Sequence, residues 1–329
     1  MNETKQKNQT QQNESALQNV LYIRFFLPTA HFRIPFTYQR RHTYPLPPYS
    51  TIIGFLCNLL GINNRNKTIK DNHDKNIEQF NSIENKSLYD LLKDLKISIA
   101  GQFESKITEM YWFRNISKES HNKRFGYPEN RYWAGHIEHF GGQSPAFVDT
   151  LNNYHLHLHF FHTEKKFLDY IKLNLENPIN KLEPLHLGRA EDIFIIEEIS
   201  SVNLEYGRFD GNYKHFFWIP EKLYLKVSNS TTDNSDLGEN NSSTDNSDIY
   251  QEYNGLNYRL TTFWDIQDYE KTHNRHGLRI FNYLPVKLSD GVFTNFEFYF
   301  DKEHQLPVFL ADLKTNEYEQ QHSNPCKIN

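Results

Sequence analysis

Apolar residues along this chain gather in short runs, separated by stretches rich in Asn, Lys and Ser, and the spacing inside each run predicts an element. Leu21–Leu27 joins β-branched and aromatic residues without a break and ends at Pro28, which predicts a strand. Pro45, Pro47 and Pro48 hold the next segment extended, because proline fixes φ and keeps its predecessor out of the α region. Ser50 or Thr51 then offers a helix cap. Ile52, Phe55, Leu56, Leu59 and Leu60 form one helical stripe, closed by Gly61. Asn63–Asn81 is polar and predicts a solvated loop. Ser87–Leu95 repeats apolar residues at helical spacing, and Lys96–Phe103 alternates like a strand. Tyr154–Phe161 alternates again, Glu164–Leu175 predicts a helix ended by Pro178, and Ile193–Ile199 predicts a strand entered through Gly188. The order is strand, helix, strand, strand, helix, strand. Phe216–Val227 and Arg259–Phe300 add further aromatic, strand-like runs.

Between the second and third strands lies Glu104–Thr150, long and without clear periodicity, as functional insertions often are. It is crowded with aromatic and basic residues: Trp112, Arg114, Lys123, Arg124, Arg131 and Trp133 among them. Aromatic and charged side chains in such density argue against idle disorder. The first 19 residues carry no hydrophobic core segment and predict a disordered lead-in, not a signal peptide.

Charge redraws this picture. The 329 residues carry a formal charge of −5, which at first argues against a polyanionic partner. Asn229–Glu252, however, holds six carboxylates and no base, so the chain without it stands at +1. Within that segment Ser230–Asp236 recurs as Ser242–Asp248, a low-complexity repeat that predicts an expanded surface loop. The opposite bias marks Ser15–Lys70, which has no Asp or Glu although these make up 41 residues of the chain. Arg24, Arg33, Arg40, Arg41, Arg65, Lys67 and Lys70 sit unopposed within that stretch. Basic residues interleaved with Tyr, Thr and Ser suit a phosphate backbone. Arg33, Arg40, Arg41, His42, Thr43 and Tyr44 are the first candidates, since the arginine fork donates two parallel bonds to phosphate. Tyr44 or Tyr49 could stack a splayed base. Pro48–Thr51 could offer backbone N–H groups to a phosphate, or Ser50 could be a simple cap. The plain alternative for the whole segment is a solvated strand–helix connection.

Other chemistries find little footing. His155, His157 and His159 share one strand face, a spacing that can hold metal, but a solvent-facing strand is the commoner outcome and neither Cys nor clustered carboxylates complete a set. The expectation is therefore no metal and no cofactor. Cys57 lies in an apolar stripe and Cys326 in the tail, so there is no disulfide framework, which suits a reducing cytoplasm. No apolar run is long enough to span a membrane, and neither a phosphate loop nor a nucleophile elbow is present.

Three motifs carry a resemblance. Phe32-Arg33-Ile34-Pro35 is followed by Thr43-Tyr44-Pro45-Leu46-Pro47-Pro48-Tyr49-Ser50-Thr51-Ile52-Ile53-Gly54-Phe55-Leu56 and the closing Gly61. Phe140-Gly141-Gly142-Gln143-Ser144-Pro145 and Leu187-Gly188-Arg189-Ala190-Glu191-Asp192 come later. In order and spacing, over roughly residues 20–200, the chain resembles the Cas-five subunit of the CRISPR surveillance complex Cascade, in its type I-B form. The last third matches loosely. The resemblance implies an α+β fold, ferredoxin-like (RRM-like, of the RAMP type) with a βαββαβ plan over residues 20–206. A β-hairpin thumb would project from about 104–150, and a β-rich extension would occupy 207–313, before a loose tail. It implies a non-catalytic subunit that holds the 5′ handle of the crRNA. Its partners would be the Cascade backbone subunit, the large subunit and, through the assembled complex, target DNA. In the thumb Trp112, Arg114, Lys123, Arg124, Arg131 and Trp133 join the expected RNA-binding set, and the resemblance adds Gly141, Gly142, Gln143 and Arg189. Type I-C relatives cleave precursor crRNA with a tyrosine at the place of Tyr49 and a Lys-His pair further on. Here the thumb has no adjacent Lys-His pair, and Lys214-His215 lies well past it, so metal-independent cleavage of precursor crRNA is a minor alternative; a free-standing RNA-binding protein is the other.

Overall fold

The computed structural model describes residues 16–314 apart from 38, 73–76, 116–131, 134–135, 138–141, 225–254, 268–277 and 295. The expected lead-in (but for its last residues), acidic repeat loop, thumb tip and C-terminal tail therefore lie outside the described residues. The chain runs β1 (Ala16–Ala30), β2 (Phe32–Arg33), β3 (Arg40–Arg41), β4 (Thr43–Tyr44), α1 (Tyr49–Leu59), α2 (Leu88–Lys93), β5 (Lys96–Gln102) and β6 (Ser105–Asn115). It continues with β7 (Tyr132–Trp133), β8 (His136–Ile137), β9 (Gly142–Phe161), α3 (Lys165–Glu176), β10 (Ile195–Arg208), β11 (Gly211–Asn212), β12 (Phe216–Pro220) and α4 (Glu221–Tyr224). β13 (Leu256–Gln267), β14 (Leu278–Ser289), β15 (Val292–Phe293), β16 (Glu297–Asp301), β17 (Leu306–Val308) and β18 (Ala311–Asp312) complete it.

One mostly antiparallel sheet organises the molecule, with the path β13-β14-β12-β5-β9-β1-β10-β16-β17. Its centre, β5-β9-β1-β10, is antiparallel throughout. α1 lies in the connection that carries the chain from β1 across β9 to β5, and α3 in the one from β9 across β1 to β10. The C-terminal third does not form a separate unit: β12 adds to β5 and β16 adds to β10, so the extension widens the same sheet at both edges.

Alternation along β9 shows how the sequence makes two layers. Leu156, Leu158 and Phe160 point to one face, where Ile23, Phe25, Ile97 and Ile99 meet the stripe Ile52, Phe55, Leu56 and Leu59 of α1. His155, His157 and His159 point to the other. That face is not solvated as the sequence suggested: His157 and His159 are buried beneath an aromatic layer of Phe217, Phe293, Phe296, Phe298, Phe300 and Phe309. A strand buried on both faces keeps its polar residues only by pairing them. The Tyr22 hydroxyl lies 2.8 Å from His157 Nδ1, and His159 Nε2 lies 3.0 Å from Asp301. His304 stacks on Tyr22 with 3.7 Å between ring centroids, and its two nitrogens reach Asp301 (2.8 Å) and Glu198 (3.0 Å).

Several boundaries move for local reasons. β1 runs through Pro28 because pairing to β10 has ended at Phe26 and the ladder to β9 skips Pro28, so its missing N–H costs no bond. Pro48, not Ser50 or Thr51, caps α1, and no side chain caps that end. The Thr51 N–H instead closes onto the Pro48 carbonyl at 2.9 Å. Gly61 adopts φ +70°, and a Cβ there would meet the Asn180 carbonyl oxygen at 2.5 Å. The segment after α1 packs more than its polarity suggested: Ile69, Phe80 and Ile83 are buried, and Asn72 donates to Leu60 O and Tyr170 Oη.

The back-face network makes stability pH-dependent. Burial, reinforced by His215 and His159, holds His157 well below the usual histidine range; burial also lowers His159, despite Asp301. His215 is pushed down to about 4 by burial and by His155. For these groups the unfolded chain binds more protons once pH drops below about 6.5, so stability is lost on acidification. Burial opposes the charge on Asp301, but His159 and then His304 hold it down to about 2, a contribution lost only in stronger acid. His304 is raised by Glu198 and Asp301 against its burial, so its contribution is present in acid and lost as pH rises; it is outnumbered. Thermal melting should fall steadily from about pH 7 to about pH 4.5. Asp301→Ala should cost about 3–5 kcal/mol by chemical denaturation, because two histidines lose their acceptor. A flat pH profile with a mild Asp301→Ala would contradict this account.

Candidate nucleic-acid interface

The basic loop folds back on itself and is sewn to the sheet through β3. β2 pairs with β4, Phe32 opposite Tyr44, and the Ile34 N–H donates to His42 O at 2.8 Å. β3 pairs in parallel with β9 at Phe147 and Val148. β6 and β9 form a long antiparallel ribbon from Ser105 opposite Asn152 to Asn115 opposite Gly142. A cavity of about 490 Å³ opens between these pieces. The loop supplies His31, Arg33, Arg41 and Tyr44, and the start of α1 supplies Pro48, Ser50 and Thr51. Tyr111 and Phe113 come from β6, Gly188, Arg189 and Glu191 from the approach to β10, and Arg259, Thr261 and Tyr283 from β13 and β14.

The loop's cations do not all face this space. Asp149, fully buried on β9, draws in Arg40 (Nε to Oδ1, 3.0 Å) and His42 (Nδ1 to Oδ2, 2.9 Å), with Lys106 at 3.8 Å. Thr108 donates to the same carboxylate at 2.8 Å. Burial opposes the charge on Asp149, but the bonds from His42, Thr108 and Arg40 hold its carboxyl below the usual range. The acid-free segment is thus neutralised from a distant strand, and Arg40 is a structural cation. Arg24 likewise pairs with Glu197 at 3.1 Å and Glu198 at 3.5 Å. Arg189 lays its fork on buried Asp192 (Nη2 to Oδ1, 2.7 Å) and donates to the Tyr111 hydroxyl at 3.1 Å. Asp192 also takes the His31 and Arg189 N–H groups. Gly188 permits that turn with φ +106°, where a Cβ would lie 2.8 Å from His31 O.

Two arginines of the loop have no carboxylate partner among the described residues. Arg33 donates to Thr37 O at 2.9 Å, and the Arg41 guanidinium lies 3.6 Å above the Phe113 ring. Burial and the charge of Arg33 both lower the Arg41 pKa, so an anion beside them would relieve two like charges. Arg259 lies over Tyr283 at 5.5 Å.

Other expected contacts fall elsewhere. Tyr49 is 0% exposed and cannot stack a base; burial drives its hydroxyl far above the usual range. Tyr44 is buried and packed in T-shaped contacts with Trp218 and Tyr258. Thr43 is buried and accepts the Phe32 N–H. Ser50 Oγ lies 2.6 Å from Thr261 Oγ1. Trp112 is 60% exposed but on the opposite face of the ribbon, alongside Met110 and Phe147. Gly142 lies at the ribbon's outer end. Lys123, Arg124, Arg131 and Gly141 lie outside the described residues, as do the side chains of Arg114, Trp133 and Gln143. Sequence reading missed His31, Asp149, Arg259 and Tyr283 as site residues. A lone acid inside the alternation Phe147-Val148-Asp149-Thr150 was the one available signal; Arg259 and Tyr283 reach the cavity only through tertiary pairing.

A family model described as CRISPR-associated protein (Cas_Cas5) matches residues 20–293. The chain belongs to this family. The Cas-five match thus extends beyond the residues that first carried the resemblance and includes Arg259 and Tyr283. Among solved structures, a chain of a CRISPR RNA-guided surveillance complex aligns with TM-score 0.41 and 11% identity, covering 92% of this chain and 96% of that one. A CRISPR protein from Archaeoglobus fulgidus aligns with TM-score 0.32 and 10% identity, covering 89% and 99%. A Cas protein crystal structure aligns with TM-score 0.29 and 16% identity, covering 53% and 58%. No curated protein matches the chain.

Removing the anchor of this Cas-five site should be costly. Asp149→Ala leaves Arg40 and His42 without their acceptor and should destabilise by about 3–5 kcal/mol in denaturant titration. Glu191→Ala, at an exposed carboxylate, should stay within about 0.5 kcal/mol. Equal effects would show that Asp149 does not organise the loop.

Proposed function

We propose that this protein is a non-catalytic crRNA-binding subunit of a type I-B Cascade complex, holding the 5′ handle in the cavity between the basic loop and the ribbon. The observation that carries this reading is the pair Arg33 and Arg41, which face the cavity with no carboxylate partner among the described residues, Arg41 stacked on Phe113. Guanidinium groups take phosphates, and the faces of Phe113, Tyr111 and Tyr283 suit unstacked bases of single-stranded RNA. The strand order β5-β9-β1-β10, with a helix in each crossover, supports a ferredoxin-like core. The ribbon of β6 and β9 would be the base of the thumb, beside the backbone subunit. The large subunit and, through the complex, target DNA complete the proposed partners. No helix among the described residues is long and apolar enough to cross a membrane. A cytoplasmic ribonucleoprotein is our reading.

Catalysis is not part of the proposal. Tyr49, the residue a cleaving relative would use, is buried, and His215 packs against His157 on the far side of the sheet, 5.1 Å between centroids. Metal-free RNA cleavage needs a base and a cation at the reacting 2′-oxygen, and neither Tyr49 nor His215 lines the cavity.

The test is fluorescence anisotropy with single-stranded repeat RNA across a salt series. Arg33→Ala with Arg41→Ala should weaken binding at least tenfold and lower the salt slope by about 1.4, at about 0.7 per phosphate contact. Arg40→Ala should lower stability first. Repeat RNA incubated with the protein without metal should remain intact. Unchanged affinity and slope in the double variant would remove the RNA assignment from this cavity, and cleaved repeat RNA would overturn the non-catalytic reading.

A further inference from the structure

His31 sits between β1 and β2 and lines the cavity with only 4% of its surface exposed. Its Nδ1 lies 2.7 Å from the Asp149 carbonyl oxygen. A carbonyl only accepts, so Nδ1 carries the proton and Nε2 is left with a bare lone pair. That nitrogen is buried and has no hydrogen-bond partner among the described residues. The ring is fixed in place: the His31 N–H donates to Asp192 Oδ2 at 3.1 Å, and its carbonyl is pressed against Gly188. Burial is the main reason the ring stays neutral, and the charges of Arg189 and Arg33 add to it. Native structures rarely leave a buried polar atom unsatisfied, so each instance asks for a reason.

The chemistry around Nε2 suggests one. The cations of the cavity are donors and suit phosphate oxygens, but a nucleotide also brings donors of its own that need an acceptor. On a single strand these are the ribose 2′-hydroxyl, absent from DNA, and the N–H groups of the base edge. We infer that His31 is a specificity-determining residue: its Nε2 accepts a hydrogen bond from a donor on the bound nucleotide, either the 2′-hydroxyl or a base N–H. This rests on the reading of the cavity as an RNA site. A site that holds a buried acceptor rejects an analogue lacking the donor, because the acceptor is then left dry and unpaired.

The test uses the full chain and anisotropy with four kinds of probe. These are a randomised single-stranded RNA pool, the same pool as DNA, the same pool as 2′-fluoro RNA, and the four RNA homopolymers. If the ribose supplies the donor, wild type prefers RNA over both the DNA and the 2′-fluoro pools by about tenfold, the scale of one neutral hydrogen bond. If the base supplies it, wild type instead discriminates among homopolymers by a similar factor. His31→Asn keeps a donor toward Asp149 O but, being shorter, leaves no acceptor at the position of Nε2, and should bring that preference close to one while all probes still bind. His31→Gln, which returns a carbonyl oxygen to the position of Nε2, should restore part of it. Should these variants not fold, the Nε2 resonance of His31 in ¹⁵N-labelled wild type decides: it shifts with RNA and not with the donor-lacking probe. No discrimination by wild type, discrimination kept in His31→Asn, or an unshifted Nε2 overturns the inference. The RNA reading stands in those cases if Arg33→Ala with Arg41→Ala weakens every probe alike. Failure of wild type to bind any RNA overturns both.

Discussion

The carboxylate of Asp149 sits without solvent exposure where β3, β6 and β9 meet; Arg40 and His42 turn inward to it from the basic loop and Thr108 from β6. A buried charge is tolerated only when its lone pairs are filled, so the three partners and the acid hold one another in register. The main chain of the same residue accepts from His31, which fixes the ring that lines the cavity floor. Asp192 plays the matching part on the other wall, gathering Arg189, its own turn and the His31 N–H. Two buried acids thus hold a basic cavity open, and they do so by consuming some of the cations that sequence alone assigns to RNA.

This division of labour explains how a chain of net charge −5 can present a cationic site. Cations with acids are scaffold, and their attraction is already satisfied inside the fold. Those without, Arg33 and Arg41, are stacked or held by backbone carbonyls, which orients them and leaves their charge available to a phosphate. The aromatic residues divide by the same logic. On the ribbon, alternation sends Tyr111 and Phe113 toward the cavity and Met110 and Trp112 away from it, so one strand serves two surfaces.

Much of the fold was legible. The stripe of α1, the strands around β5 and β9 and their order followed from periodicity, since apolar spacing at 3.6 or 2 is what packing demands. Less legible was anything set by a distant partner. The alternation His155-Leu156-His157-Leu158-His159 announces a strand, but nothing local says that residues 293–309 cover its polar face. Tyr49 reads as an exposed aromatic beside a basic loop, yet the turn of α1 places it at the first helical position facing the core. Arg40 and Arg41 are adjacent and chemically identical; strand alternation sends one to Asp149 and the other to Phe113. At the site, the basic loop was found from composition, whereas His31, Arg259 and Tyr283 became visible only once tertiary pairing brought them to one wall.

The claim that RNA occupies this cavity is tested most directly by photo-crosslinking. Repeat RNA carrying 4-thiouridine is bound to the full chain, irradiated, and the modified peptides are mapped by mass spectrometry. The account predicts crosslinks on Tyr111, Phe113, Tyr283 and the 31–44 loop, with few on the outer ribbon face. Crosslinks confined to Met110, Trp112 and Phe147, with the cavity residues untouched, would contradict it.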